Sequence, residues 1–184
     1  MRHIPNILSF MRLILVGVFI ALFINGKYIA ALATYVAAFA TDLLDGYLAR
    51  RNNWISDLGK VLDPLADKLL LIAAIVCFWS EGWLDTWILV VVLAKESLMI
   101  IGGVFMLKRK VVVYADWFGK IAAGLFNAAV VLTILKAELL PQIGILNTIV
   151  FAAAIVAALG ALVHYYFKTV NPYFLKKREE KKRS

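Results

Sequence analysis

Four aspartates define the chemistry open to this chain. Asp42 and Asp45 are three residues apart and Asp63 and Asp67 four apart, so each pair shares one face of a helix. All four sit inside or beside long apolar runs. An acid at the centre of a membrane helix costs roughly 2.5–3.5 kcal/mol on insertion scales, before mutual repulsion, and only a cation or a functional partner offsets that. Two neighbouring helices bearing these pairs aim four carboxylates into one pocket. Hard oxygen donors of this type suit Mg2+, Mn2+ or Ca2+, and four acids hold two such ions. Arg50, Arg51, Lys60 and Lys68 suit an anionic substrate, and Gly46 and Gly59 permit close backbone approach. The polar segment 46–53, Gly-Tyr-Leu-Ala-Arg-Arg-Asn-Asn, is expected to let the chain reverse between the two pairs. The chemistry this implies is metal-assisted handling of a phosphate or diphosphate.

The full pattern, Asp-x2-Asp-Gly-x2-Ala-Arg-x8-Gly-x3-Asp-x3-Asp, runs from Asp42 through Asp45, Gly46, Ala49, Arg50, Gly59 and Asp63 to Asp67. It resembles the signature of the CDP-alcohol phosphatidyltransferases, with every fixed position filled. The resemblance implies transfer of the substituted phosphate of a CDP-alcohol, often CDP-diacylglycerol, to a second alcohol with release of CMP. It implies that Asp42, Asp45, Asp63 and Asp67 hold two divalent ions, Mg2+ or Mn2+, and that Asp67 also takes the proton of the attacking hydroxyl. Gly46, Ala49 and Gly59 would line the nucleotide pocket, and Arg50 would pair with the phosphates, where its fork geometry outperforms lysine. Relatives of this family are dimeric, so a homodimer is expected. The opening Ile4-Pro5-Asn6-Ile7-Leu8-Ser9 with Arg12, the run Leu62 to Lys68 and the pair Gly119-Lys120 look like the phosphatidylglycerophosphate synthase and eukaryotic-type cardiolipin synthase branches. The former typically has Arg-Glu in span four and a second Arg one or two turns later. This chain has Lys95-Glu96 and then Gly102-Gly103. Glycerol 3-phosphate is the expected acceptor and phosphatidylglycerol, giving cardiolipin, the alternative.

The elements that must position these residues are apolar helices. The chain has 184 residues, 63% of them hydrophobic, and a mean hydropathy of +0.85. A soluble domain is nearer 45–50% apolar, so an all-α integral membrane protein is expected, with a single membrane domain over 1–170 and a basic tail over 171–184. A short interfacial segment, 1–9, leads into six spans: about 10–24, 28–49, 57–79, 86–107, 118–135 and 143–167. Each is near the roughly 20 residues that a bilayer requires. The turn signals between them are Asn25-Gly26-Lys27, the 80–85 run and 136–142. A cleaved signal peptide is disfavoured, because a cut near Ala33 would leave half of a span.

Charge sets the orientation. Allocating loops alternately to two sides puts every Lys and Arg except Lys27, Lys95 and Lys136 on the side that carries both termini and the acids. The positive-inside rule makes that side cytoplasmic, in a cell (inner) membrane, where nucleotides and Mg2+ are available.

The remaining residues carry alternative readings. Lys95-Glu96 lies mid-span, either with Lys95 pointing into a polar cavity to bind an anionic acceptor or as a helix–helix ion pair. Lys120 and Arg12 each read as a phosphate contact or as an interfacial side chain that snorkels. Gly102, Gly103 and Gly124 fit close helix packing. Cys77 is apolar filler, and His3 and His164 are interfacial. Trp54, Trp79, Trp83, Trp87, Trp117, Tyr165 and Tyr166 fall at span ends, as an aromatic belt does. The tail touches anionic lipid at most and is not read as nucleic-acid binding. Two other functional classes are weighed. An intramembrane prenyltransferase pairs acids around a metal-diphosphate but lacks this spacing and releases pyrophosphate. A divalent-cation transporter does not call for Arg50 and the glycines.

Overall fold

The protein was analysed as a computed structural model, which describes residues 4–52, 59–108, 117–165 and 167. Side-chain surroundings are described for 10–41, 65–102, 117, 119–164 and 167. The basic tail over 171–184 lies outside the described residues.

Six α-helices follow one another among the described residues, with no strand: α1 Ile4–Ile24, α2 Tyr28–Asn52, α3 Gly59–Ser80, α4 Thr86–Lys108, α5 Trp117–Glu138 and α6 Gly144–Tyr165. They match the six expected segments. A short 3-10 turn, Pro141–Ile143, fills the expected break before α6. Two differences have physical causes. Helix α1 runs from Ile4 without interruption, so no break separates residues 4–9 from the first span. Helix α2 continues to Asn52, so the chain does not reverse within 46–52. Leucine, alanine and two arginines there are good helix formers, and one glycine costs only about 1 kcal/mol against alanine.

Among the described residues, two helical stretches, Gly119–Glu138 and Pro141–His164, are long and apolar enough to cross a membrane. Phe10–Ile24 and Tyr28–Thr41 are shorter apolar stretches. Six helices thus stand where six spans are expected, and among the described residues two of them are membrane-crossing by length and composition.

The chain divides into two compact units, residues 1–89 with 130–144, and residues 90–129 with 145–184. In the first, α1 packs along both α2 and α3, and among the described residues α2 and α3 also touch each other over a few positions. The inward stripe of α1 is Arg12, Val16, Phe19 and Phe23, at helical spacing. Phe19 meets Tyr35 of α2 edge-on at 5.8 Å, and Phe23 meets Phe78 of α3 at 5.7 Å. Tyr28 and Trp83 close this cluster at 4.8 Å from each other and about as near to Phe23. Aromatic pairs of this geometry add roughly 0.5–1.5 kcal/mol each beyond their area burial.

Helices α1 and α3 end alike. Gly26 at φ 69° and Gly82 at φ 71° occupy the left-handed region that closes a helix. Around Gly26, the Gly26 N–H donates to the Phe23 carbonyl and the Lys27 N–H to the Leu22 carbonyl, both at 2.9 Å. Gly82 and Trp83 repeat the pattern onto Trp79 and Phe78 at 3.0 and 2.9 Å. The second unit is built on Val92, Ala122, Phe126, Ala129, Phe151, Ala154 and Ala158, with Glu96 and Asn147 buried among them.

Candidate active site

Helices α2 and α3 carry the four aspartates. Because α2 is helical through Asn52 and α3 from Gly59, the three- and four-residue spacings place each pair on one side of its own helix. Asp67 is half-buried on α3, next to the buried Ala66 and one turn before the buried Leu70 and Leu71. It lies within electrostatic reach of the Tyr35 phenol, which is itself buried on α2. A pairing of α2 with α3 that brings Tyr35 towards Asp67 and Tyr28 onto Trp83 is antiparallel. The side chains of Asp42, Asp45, Gly46, Ala49, Arg50, Gly59 and Asp63 lie outside the described residues, so the carboxylate cluster is described at Asp67 alone. Among the described residues, no three acids, histidines or cysteines converge as a metal site. Carboxylates such as those carried by α2 and α3 are hard oxygen donors of the kind that the implied ions prefer.

Lys95 is found in different surroundings from those expected. It forms an ion pair with its neighbour Glu96. Adjacent residues on a helix point apart, so the long lysine stem folds back along its own helix, and the pair does not join two helices. Its ammonium lies 4.6 Å from the centroid of the Phe126 ring. The cavity it lines, about 170 Å³, has Val91, Ala94, Leu98, Phe126 and Ile155 among its walls. The polar cavity expected around Lys95 is thus an apolar one. Lys120 is exposed, with its ammonium 5.2 Å from the centroid of Trp117, as a snorkelling lysine beside an interfacial aromatic would be.

Two further readings change. Arg12 does not snorkel: at 1% exposure it is the bulkiest fully buried side chain among the described residues. Gly124 is exposed, and a Cβ built on it meets nothing within 4 Å, so no close packing onto it is found among the described residues. Cys77 is buried, as apolar filler would be. Arg12 is the residue that sequence reasoning undervalued. Its place in the stripe with Val16, Phe19 and Phe23 was the available signal.

An all-helical chain with paired aspartates on adjoining helices, and with helices able to cross a bilayer, is a membrane protein equipped for polar chemistry. The chain belongs to the CDP-alcohol phosphatidyltransferase family, whose model matches residues 2–163. It is therefore an enzyme of phosphatidyl transfer and phospholipid synthesis. A CDP-diacylglycerol--glycerol-3-phosphate 3-phosphatidyltransferase of Rickettsia typhi is 32% identical over 180 residues, covering 95% of this chain and 100% of the relative. One of Aquifex aeolicus is 34% identical over 120 residues, 64% of this chain and 67% of the relative. A cardiolipin synthase (CMP-forming) of Streptomyces coelicolor is 38% identical over 104 residues, 53% of this chain and 48% of the relative.

Proposed function

We propose that the chain transfers the phosphatidyl group of CDP-diacylglycerol to glycerol 3-phosphate, giving phosphatidylglycerophosphate and CMP. The observation that carries this reading is the end-to-end similarity to the Rickettsia typhi relative, whose name states that donor and acceptor. In the proposed reaction the acceptor hydroxyl attacks the lipid-bearing phosphorus, the bond to the CMP oxygen breaks, and CMP leaves. Asp67 accepts the hydroxyl proton. Its half-buried position keeps it reachable while limiting water around the transferred proton. Asp42, Asp45, Asp63 and Asp67 are assigned as ligands of two divalent ions, Mg2+ or Mn2+. Such ions neutralise the diphosphate and stabilise the leaving CMP when bound. Gly46, Ala49 and Gly59 admit the cytidine, and Arg50 pairs with the phosphates. Lys95 and Lys120 are assigned to the acceptor phosphate.

The same proposal makes all six helices membrane spans, with both termini and the acids on the cytoplasmic side. The distribution of Lys and Arg supports that orientation. It also makes the enzyme a homodimer, supported by the outward-facing Gly124, which offers a second copy a close approach.

Cardiolipin synthesis from phosphatidylglycerol is the second reading. It is favoured by the Streptomyces coelicolor relative and by the apolar surroundings of Lys95, which suit a lipid acceptor better than a dianionic sugar phosphate. A competition assay decides. Purified protein receives CDP-diacylglycerol with glycerol 3-phosphate, phosphatidylglycerol, inositol phosphate and serine together, and the products are identified by mass. Phosphatidylglycerophosphate is expected; cardiolipin would install the second reading. Release of pyrophosphate, or no CMP, would overturn both.

A further inference from the structure

Arg12 lies in the least hospitable place for a charge in the first unit. It continues a stripe of Val16, Phe19 and Phe23 that α2 and α3 cover, and it is 1% exposed. An arginine is almost never fully buried unless negative charge answers it. The helix register indicates where that charge lies. Helix α1 runs antiparallel to α2, since Phe19 meets Tyr35 while Phe23 meets Tyr28. Helix α3 is antiparallel to α2 as well, so α1 and α3 are parallel. Phe23 and Phe78 are in contact. Counting eleven residues back along each helix, about 16 Å at 1.5 Å per residue, reaches Arg12 on α1 and Asp67 on α3. Counting along α2 from the Phe19–Tyr35 contact puts the backbone of Asp42 at the same level. The other acids described in this unit are elsewhere. Glu81 and Glu138 lie within electrostatic reach of Tyr28, at the far end of the helices, and Asp85 follows α3 at that end.

We propose that Arg12 is the resident counter-cation of the aspartate cluster: buried between α2 and α3 at the level of Asp67, it offsets the carboxylate charge and fixes the orientation of Asp67. This rests on the reading above that the cluster holds divalent ions. It differs from a contact to the substrate phosphates, because its effect is present before any substrate binds. Arginine suits the position. Its guanidinium is weakly hydrated, never deprotonates and presents a planar fork that matches carboxylates. With divalent ions bound, much of its neutralising task is shared. In their absence it carries that task alone. Arg12 is thus a positioning residue whose importance depends on metal.

Thermal unfolding of the full-length protein in detergent tests this, in EDTA and in saturating Mg2+, without any turnover. The wild type is expected to melt higher in Mg2+. R12M is expected to lose more stability in EDTA than in Mg2+, by about 5 °C, because a buried charge left unanswered is a large penalty. R12K, which keeps the charge, is expected to recover most of that difference. The double variant R12M/D67N removes one charge of each sign and is expected to melt above R12M in EDTA. If R12M does not fold, R12K and R12M/D67N still carry the comparison with the wild type. Equal losses for R12M in both conditions, with a normal wild-type response to Mg2+, would overturn the role of Arg12 and leave the metal reading intact. A wild type indifferent to Mg2+ and Mn2+ would overturn both.

Discussion

The Lys95 ammonium and the Phe126 ring face each other at 4.6 Å, on α4 and α5 of the same unit. The contact, together with the Glu96 carboxylate, holds a cation at the polar edge of an otherwise apolar cavity. K95M removes that cation and leaves Glu96 buried. Its acceptor kcat/KM is expected to fall about 10–100-fold, the range for losing a charged hydrogen bond of 1.5–3 kcal/mol. The double variant K95M/E96Q is expected to melt above K95M while remaining as poor with acceptor. Unchanged kinetics in K95M would return Lys95 to a packing role.

Asp63→Asn and Asp42→Asn are expected to lower turnover beyond the roughly 10–100-fold typical of outer-shell changes around a metal. Membrane insertion should be unaffected. CMP release with radiolabelled donor measures this. Near-normal release from either variant would take that residue out of the ligand set.

Chelation makes a parallel prediction. EDTA is expected to stop CMP release, and Mg2+ or Mn2+ to restore it within the time of mixing. Ions such as Zn2+, which prefer nitrogen and sulfur donors, are expected to restore less. Full activity after exhaustive chelation would contradict the assignment of the four aspartates.

The aromatic cluster is expected to carry much of the first unit's stability. Phe23 touches Phe19, Tyr28, Phe78 and Trp83 within 6 Å between ring centroids. Phe23→Ala should cost about 3–5 kcal/mol, read as a lower melting temperature in detergent, whereas the same change at the exposed Ile24 should cost far less.

Two of the exposed glycines, Gly26 and Gly124, separate local strain from packing. Gly26→Ala places a Cβ at φ 69° and is expected to cost about 1–2 kcal/mol. Gly124→Ala meets open space and, inside a helix, should be neutral or stabilising by up to about 1 kcal/mol for the monomer. If Gly124 lies in the proposed dimer contact, Gly124→Leu is expected to shift the protein towards monomer by light scattering. An unchanged dimer would place the interface elsewhere.

Helix positions were legible because each is a long apolar run closed by residues with specific backbone needs. Asn25-Gly26 and Gly82 announced the ends of α1 and α3, and Pro141 the break before α6. The helices that carry the aspartates were legible from their apolar runs, while the side chains of Asp42, Asp45 and Asp63 lie outside the described residues. What escaped was whatever depends on neighbours distant in sequence. Arg12 and a snorkelling interfacial arginine look identical in a linear chain, and only the packing of α2 and α3 over α1 buries it. Lys95 implied a polar cavity, yet Ile155 and Leu159, some sixty residues later, line an apolar one. Gly124 implied packing, but which side of α5 faces outward is decided by α4 and α6 rather than by the glycine.

Among the described residues, helix α1 touches each acid-bearing helix far more extensively than those two touch each other. It is therefore the common support of both, and the girth of the side chains along one stripe of α1 bears on how each lies against it. A substitution at Val16 would reach both acid-bearing helices at once, from a helix that carries none of the signature residues.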